Sequence, residues 1–279
     1  MNARRFFAEE IETLCDLRNA ALVGALATAR REQFLPPGPW TIQSEVDFLS
    51  AGPRRTRDAD PRRIYHNVAV AIDPDRQLYN GAPSLLALCI DRLDVAPGHR
   101  VLHVGCGPGY YTALMAECVG STGKVVAVEI DEALADAAAR NLAAWPQVQV
   151  QRGDGMACAD PFDAILVNAG VTHPQHAWLE AMIRGGRMIL PLTATMPAMG
   201  PIGKGFLVLL TRRGAGFEAH ALNLVTIYSA LGIRDADLNA HLGRVLMRGF
   251  RPAVSRLRRD PHDESPACWF HGPGFCFSA

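Results

Sequence analysis

Three short segments of this 279-residue chain carry residues that could hold a small ligand. Gly105-Cys106-Gly107-Pro108-Gly109 follows the apolar run Val101–Val104 and precedes a helical stretch. Glycines at such a place let the backbone turn sharply and let a ligand approach without meeting Cβ atoms. Glu129 ends the next apolar run, Lys124–Val128. An acidic side chain there can accept hydrogen bonds from both hydroxyls of a ribose, and it repels a 2′-phosphate. Gly153-Asp154-Gly155 follows a third run, Val148–Arg152. Asp154 can accept from an adenine amino group, although Gly-Asp-Gly is also an ordinary turn.

Together these features describe an adenosine with free hydroxyls, which NAD and S-adenosylmethionine both contain. A dinucleotide loop has the form G-x-G-x-x-G, its third glycine allowing close helix packing beside the pyrophosphate. Counting from Gly105, that place holds the bulky Tyr110, and the third glycine stands one earlier at Gly109. The G-x-G-x-G pattern favours S-adenosyl-L-methionine. The candidate cofactor residues are Gly105, Gly107, Glu129, Asp154 and Gly155, with His103, Gly109, Ile130 and Asn168 beside them.

Methyl transfer from a sulfonium is an in-line displacement, so alignment and exclusion of water do most of the work. A carboxylate acceptor, with a reference pKa of about 4, is ionised at neutral pH and needs no general base. A hydroxyl or amine acceptor could use one, and His66, His173 and His176 are candidates. His173, in Thr172-His173-Pro174 just past the fourth strand, is the one expected nearest the site. Asn168-Ala169-Gly170 at the end of that strand lacks the Asn-Pro-Pro-Tyr pattern of base-methylating enzymes, which argues against a nucleic-acid substrate.

The elements that position these residues are legible as an alternation. Strands are expected at Arg100–Val104, Lys124–Glu129, Val148–Arg152, Ala164–Asn168 and Arg187–Leu190, and helices at Tyr111–Val119, Glu132–Ala144 and Gln175–Ile183. Short apolar strands alternating with helices imply a doubly wound α/β domain, its sheet mostly parallel and covered on both faces. Phe206–Thr211 and Phe217–Ala230, joined by Arg213-Gly214-Ala215-Gly216, read as an antiparallel pair at the sheet edge. Upstream, residues 6–31 have helical spacing and suggest one long helix or two short ones, ended by Pro36, Pro37 and Pro39. Val68–Ile72 reads as a strand, Pro83–Leu93 and Leu238–Arg256 as helices. The expected division is 1–97, a helical segment with an active-site loop; 98–230, the cofactor domain; and 231–279, a C-terminal helix and tail.

Lys plus Arg and Asp plus Glu are 28 each, a balance that argues against a general nucleic-acid or anionic-membrane binder. The start of the chain shows no apolar leader, and its longest apolar run there is too short to span a bilayer. Seven cysteines, odd in number and mostly in apolar stretches, read as reduced thiols of a soluble cytoplasmic protein. The arginine-rich stretch Ala51–Arg63 reads as a solvated loop, or as a clamp for an anionic substrate. Cys268, His271 and Cys276 have irregular spacing, so packing of the tail is expected there and no metal. His271-Gly272-Pro273-Gly274 is a candidate cap over the site.

The chain resembles the protein-L-isoaspartate (D-aspartate) O-methyltransferases. The likeness lies in Val101–Tyr110, Lys124–Ile130, Gly153–Gly155, Pro161–Val167 and Gly185–Pro191, and upstream in Arg31–Pro36 and Gln77–Ser84. It covers roughly residues 10 to 230. The resemblance implies a class I methyltransferase fold with a seven-stranded sheet, S-adenosyl-L-methionine as cofactor, and a damaged aspartate side chain in a peptide as acceptor. The family usually has a serine two residues before the proline matching Pro83, and here that place is Gly81; Asn80 and Ser84 are its candidate substitutes as catalytic residues. An acidic residue usually precedes the glycine loop, where His103 stands here. Three functions remain open on these residues: a carboxylate methyltransferase acting on a peptide or protein, a small-molecule O- or N-methyltransferase, and a non-catalytic cofactor-binding module.

Overall fold

Two asparagines begin the first two helices. In the computed structural model, which describes residues 2–44, 52–157, 160–196, 198, 200–247 and 254–279, the Asn2 side chain accepts from Arg4 N and the Asn19 side chain from Leu22 N, both at 3.1 Å. Such caps satisfy amides that the start of a helix leaves unpaired. They open α1 (Ala3–Cys15) and α2 (Ala20–Thr28), so the first helical stretch is two helices. There follow β1 (Thr41–Gln43), β2 (Arg54–Arg55), β3 (Ala69–Asp73), β4 (Leu78–Tyr79) and α3 (Pro83–Arg92). The alternation then runs β5 (Arg100–Val104), α4 (Tyr110–Val119), β6 (Lys124–Glu129), α5 (Glu132–Asn141), β7 (Val148–Arg152), β8 (Phe162–Val167), α6 (His176–Ala181) and β9 (Met182–Thr195). It ends with β10 (Ile202–Arg213), β11 (Gly216–Tyr228), α7 (Ala236–Met247), β12 (Arg256–Arg258), β13 (Cys268–Gly272) and β14 (Phe275–Ser278).

The chain forms two compact units, residues 1–100 with 106–152, and residues 101–105 with 153–279. The division therefore passes through the segment 98–230 rather than at its ends.

In the first unit β2, β1, β3 and β4 form an antiparallel four-stranded sheet in that order. The segment expected to be helical thus also contains a sheet. Arg54 and Arg55, expected in a loop, pair with Ile42 and Thr41. Trp40, Ile42, Ile64, Val68 and Val70 bury themselves as one apolar cluster, and that burial holds these short strands together. Between α1 and α2, Asp91 accepts from Arg18 N at 2.8 Å and Asn19 N at 2.9 Å. β6 and β7 pair in parallel from Val125 with Val148 to Glu129 with Arg152.

In the second unit the strand order is β13, β14, β12, β11, β10, β9, β8, β5. β5 pairs with β8, and β8 with β9, in parallel. The rest are antiparallel. Of the seven strands the resemblance implies, β5 and β8 to β11 are in this unit and β6 and β7 in the first, and the tail adds β12 to β14 here. The long hairpin of β10 and β11 is not at the edge, because β12 pairs with β11 at Phe217 and Glu218. The expected helix 238–256 is also shortened: α7 ends at Met247, residues 248–253 lie outside the described residues, and Arg256 is already in β12. α6 stops at Ala181 because Met182 begins β9, pairing with Phe162 of β8. No helix among the described residues is long and apolar enough to cross a membrane.

Candidate functional site

Each candidate ligand turn follows the C-terminal end of a strand, the edge at which open α/β sheets bind ligands. In the first unit, Cys106 N donates to Val128 O at 3.1 Å and sets the glycine loop against the end of β6. Gly107 N then donates to Glu129 Oε2 at 2.8 Å, and Asp131 N donates to Oε1 at 3.1 Å. Two backbone amides thereby fix both carboxylate oxygens. A carboxylate offers about four lone-pair positions, so about two remain for a diol. Asn141 Nδ2 donates to Pro108 O at 2.9 Å and holds the loop from α5. Beside Glu129, Ile130 is 41% exposed, an apolar surface of the kind a purine ring covers. Cys106 is buried, and burial with the charge of Glu129 pushes its thiol upward, so it is no nucleophile.

In the second unit, Gly105 leaves β5 and its carbonyl accepts from Asn168 Nδ2 at 3.4 Å. Asn168 N donates to Val104 O at 2.8 Å, so the ends of β5 and β8 are tied together. Asp154 accepts from Met156 N at 2.9 Å, the ordinary turn bond, and leaves its second oxygen for a ligand. The fully buried Trp178 donates Nε1–H to Gly155 O at 2.8 Å and fixes this turn from α6. His103 departs from the expected cofactor set. It is 0% exposed on β5, and burial drives its pKa down to about 3, so it is a neutral interior side chain with no surface to offer a ligand.

Of the two candidate substitutes for the missing serine, Asn80 is engaged through its side chain and Ser84 through its backbone. Asn80 is buried, and its Oδ1 accepts from Val70 N at 2.9 Å and from Arg31 Nη2 at 3.3 Å. Ser84 starts α3, where its amide donates to Asn67 Oδ1 at 3.0 Å and its carbonyl accepts from the Cys15 thiol. Gly81 itself has φ +82°, and a Cβ there would come within 2.8 Å of Leu86 Cδ2. A side chain is disfavoured at this position by both backbone and space. Tyr111 donates its hydroxyl to Gly81 O at 3.2 Å and holds the turn in this form.

Arg31 organises the surroundings of this turn. Its guanidinium is fully buried, donating to the carbonyls of Ile64 (2.5 Å), His66 (3.3 Å) and Val68 (2.7 Å) besides Asn80. It also lies 5.9 Å from the ring centres of Phe7 and Tyr110. Arg57, Arg62 and Arg63 of the arginine-rich stretch form ion pairs with Asp58 and Asp60 of the same stretch, so much of their charge is met locally.

His173 is half-buried, and burial lowers its pKa below the usual imidazole value. Gln175 Nε2 lies 3.3 Å from His173 Nε2 and 3.0 Å from Ile233 O, so this nitrogen donates to both. His173 Nε2 must then accept, which assigns the proton to Nδ1, 2.9 Å from Thr172 Oγ1. Its ring stacks on Phe275 at 5.9 Å between centres. His66 is exposed, and the exposed His176 lies 2.7 Å from Arg259 Nη2 on the surface.

Comparison with known proteins gives the same picture. The family model described as protein-L-isoaspartate(D-aspartate) O-methyltransferase matches residues 49–199. A protein-L-isoaspartate O-methyltransferase of Methylorubrum populi is 34% identical over 202 residues, covering 71% of this chain and 80% of that protein. One of Methanopyrus kandleri is 40% identical over 196 residues, covering 68% of this chain and 76% of that protein. A solved protein-L-isoaspartate O-methyltransferase superposes with TM-score 0.65 at 21% identity, over 91% of this chain and 73% of that one. A structure named for such an enzyme from Plasmodium falciparum in complex with S-adenosyl-L-homocysteine superposes with TM-score 0.60 at 17% identity, over 82% and 99%.

Proposed function

The chain belongs to the protein-L-isoaspartate (D-aspartate) O-methyltransferase family of S-adenosylmethionine-dependent methyltransferases, and from that premise we propose that it methylates a side-chain carboxylate of a peptide or protein. The observation that carries the cofactor part of this reading is the carboxylate of Glu129, held by Gly107 N–H and Asp131 N–H with lone pairs left for a ribose diol. Gly105, Gly107, Gly109, Glu129 and Ile130, with Asp154, Gly155 and Asn168, would hold the cofactor. When bound, it supplies an electrophilic methyl group on a sulfonium.

The residues of the chain bind, orient and exclude water; an ionised carboxylate attacks without losing a proton, so no side chain has to act as base. This agrees with the structural engagement of the Asn80 side chain. A second reading, a small-molecule acceptor with a hydroxyl or amine, rests on His173: burial lowers its pKa, and its Nε2 lone pair, which takes the Gln175 amide, would serve as a base once that amide moved aside.

The deciding experiment is transfer of labelled methyl from S-adenosylmethionine to an isoaspartyl peptide. A base-labile methyl ester supports the carboxylate reading. Tight cofactor binding with no ester formed overturns it in favour of another acceptor.

A further inference from the structure

The C-terminal strands gather four side chains of metal-ligand type. His262 lies in the connection between β12 and β13, Cys268 and His271 lie on β13, and Cys276 lies on β14; one ligand atom of each falls within 4.8 Å of the other three. We propose that these four residues form a structural binding site for a thiophilic divalent cation of the zinc type.

The geometry suits it. Zinc binds sulfur at about 2.3 Å and imidazole nitrogen at about 2.0–2.1 Å, so neighbouring atoms of a tetrahedral shell lie about 3.3–3.8 Å apart. Cys268 Sγ and His262 Nε2 are already 3.8 Å apart. The widest separation in the set closes to this range by a shift of about 1 Å. His271 and Cys276 are direct partners across the β13–β14 ladder, which puts their side chains on one face. Two thiolates and two imidazoles give a neutral complex with a divalent ion and fill a tetrahedron, so no position is left for substrate.

Two further observations point at a ligand. The buried Nδ1 of His271 has no hydrogen-bond partner among the described residues. Buried polar atoms are normally paired, and a cation would pair this one. The outer contacts are those that orient metal ligands: His262 Nδ1 is 2.7 Å from Asp260 O, a carbonyl that can only accept. The proton is therefore on Nδ1, and the Nε2 lone pair faces the thiol. Ser265 N donates to Cys268 Sγ at 3.4 Å, supporting a thiolate. Arg258 in turn holds the Asp260 carboxylate.

The site would act by fixing the tail. Its ligands come from one loop and two short strands, and β14 begins with Phe275, the residue stacked on His173. A metal cross-link there holds the aromatic wall against that imidazole. The hairpin also has its own apolar support, since Phe270 and Phe277 are fully buried. Loss of one half-buried ligand is thus expected to leave the protein folded.

The test uses the full chain purified with reductant. Elemental analysis is expected to find about one zinc per chain, and Co²⁺ added to the chelator-treated protein to give the visible bands of tetrahedral thiolate coordination, abolished by Zn²⁺. Cys268→Ser and His262→Ala should lose the metal while keeping cofactor binding by calorimetry. Failure of the wild-type protein to take up either Zn²⁺ or Co²⁺ overturns the site. So does full metal retention in both variants, or a Cys268–Cys276 disulfide whose reduction opens no metal uptake.

Discussion

Replacing Glu129 by Gln tests the cofactor reading at its centre with almost no change in shape. The carboxylate accepts from Gly107 N at 2.8 Å through one oxygen and from Asp131 N at 3.1 Å through the other. An amide has only one acceptor atom, so its NH₂ group must face one of these two donors. It must also face one of the two ribose hydroxyls that the carboxylate would accept. A hydrogen bond to a charged group contributes about 1.5–3 kcal/mol, so loss of the ribose bond and weakening of its neighbour cost about 2–4 kcal/mol of cofactor affinity. At about 1.4 kcal/mol per tenfold, Kd should rise about 30-fold to about 700-fold. The apo protein should lose about 1–3 kcal/mol of stability, because one backbone amide is left without its acceptor. Isothermal calorimetry with S-adenosylhomocysteine gives the first quantity and denaturant unfolding of the apo protein the second. A Kd within about threefold of wild type, together with the expected loss of stability, refutes the ribose role and leaves Glu129 as a loop anchor.

Gly81→Ser should destabilise the fold by about 1–3 kcal/mol, since φ is +82° and the new Cβ would meet Leu86, and it should not raise turnover on an isoaspartyl peptide; a gain in turnover with unchanged melting would contradict this. His103 is held near pKa 3 by burial, so the unfolded chain binds a proton from about pH 6.5 downward while the native chain does not. Stability should therefore be unaffected by this residue above about pH 6.5 and fall by up to about 1.4 kcal/mol per pH unit between there and pH 3, a slope reduced in His103→Asn if the residue stays neutral when folded. For a hydroxyl acceptor using His173, kcat should fall only below the usual imidazole value, because burial lowers its pKa, whereas a carboxylate acceptor should give a flat profile through neutral pH. A pH–rate profile of His173→Gln beside wild type distinguishes the two, and an unchanged sloping profile removes His173 from the chemistry.

β5 and β6 were legible to the residue because each is an apolar run bounded by turn residues, the pattern of strands covered on both faces, and β7 because Val148 to Gln151 alternates apolar and polar residues, the pattern of a half-exposed strand. The candidate cofactor turns stand out for a related reason: each comes directly after one of those strands. The four-stranded sheet of the first unit was not, since its strands are short and join residues far apart, Thr41 with Arg55 and Ile42 with Val70. No local period records such pairing.

What escaped the sequence around the site is long-range polar chemistry. An arginine after a helix ordinarily lies in water, yet Arg31 is enclosed because the carbonyls of residues 64, 66 and 68 converge on it from a loop over 30 positions away. His262 escaped likewise: Cys268, His271 and Cys276 are visible as residue types, but the fourth ligand arrives through a turn whose shape depends on Asp260 and Arg258. His103 shows the converse. Its place before the glycine loop suggested a ligand contact, but strand β5 pairs with β8 and is covered, so position along the chain named the right strand and the wrong face. The acceptor is undetermined by the sequence for a related reason. The candidate cofactor residues follow strand ends, whereas Gly81 in the first unit, and His173 with Phe275 in the second, have partners set by tertiary contacts that no local pattern records.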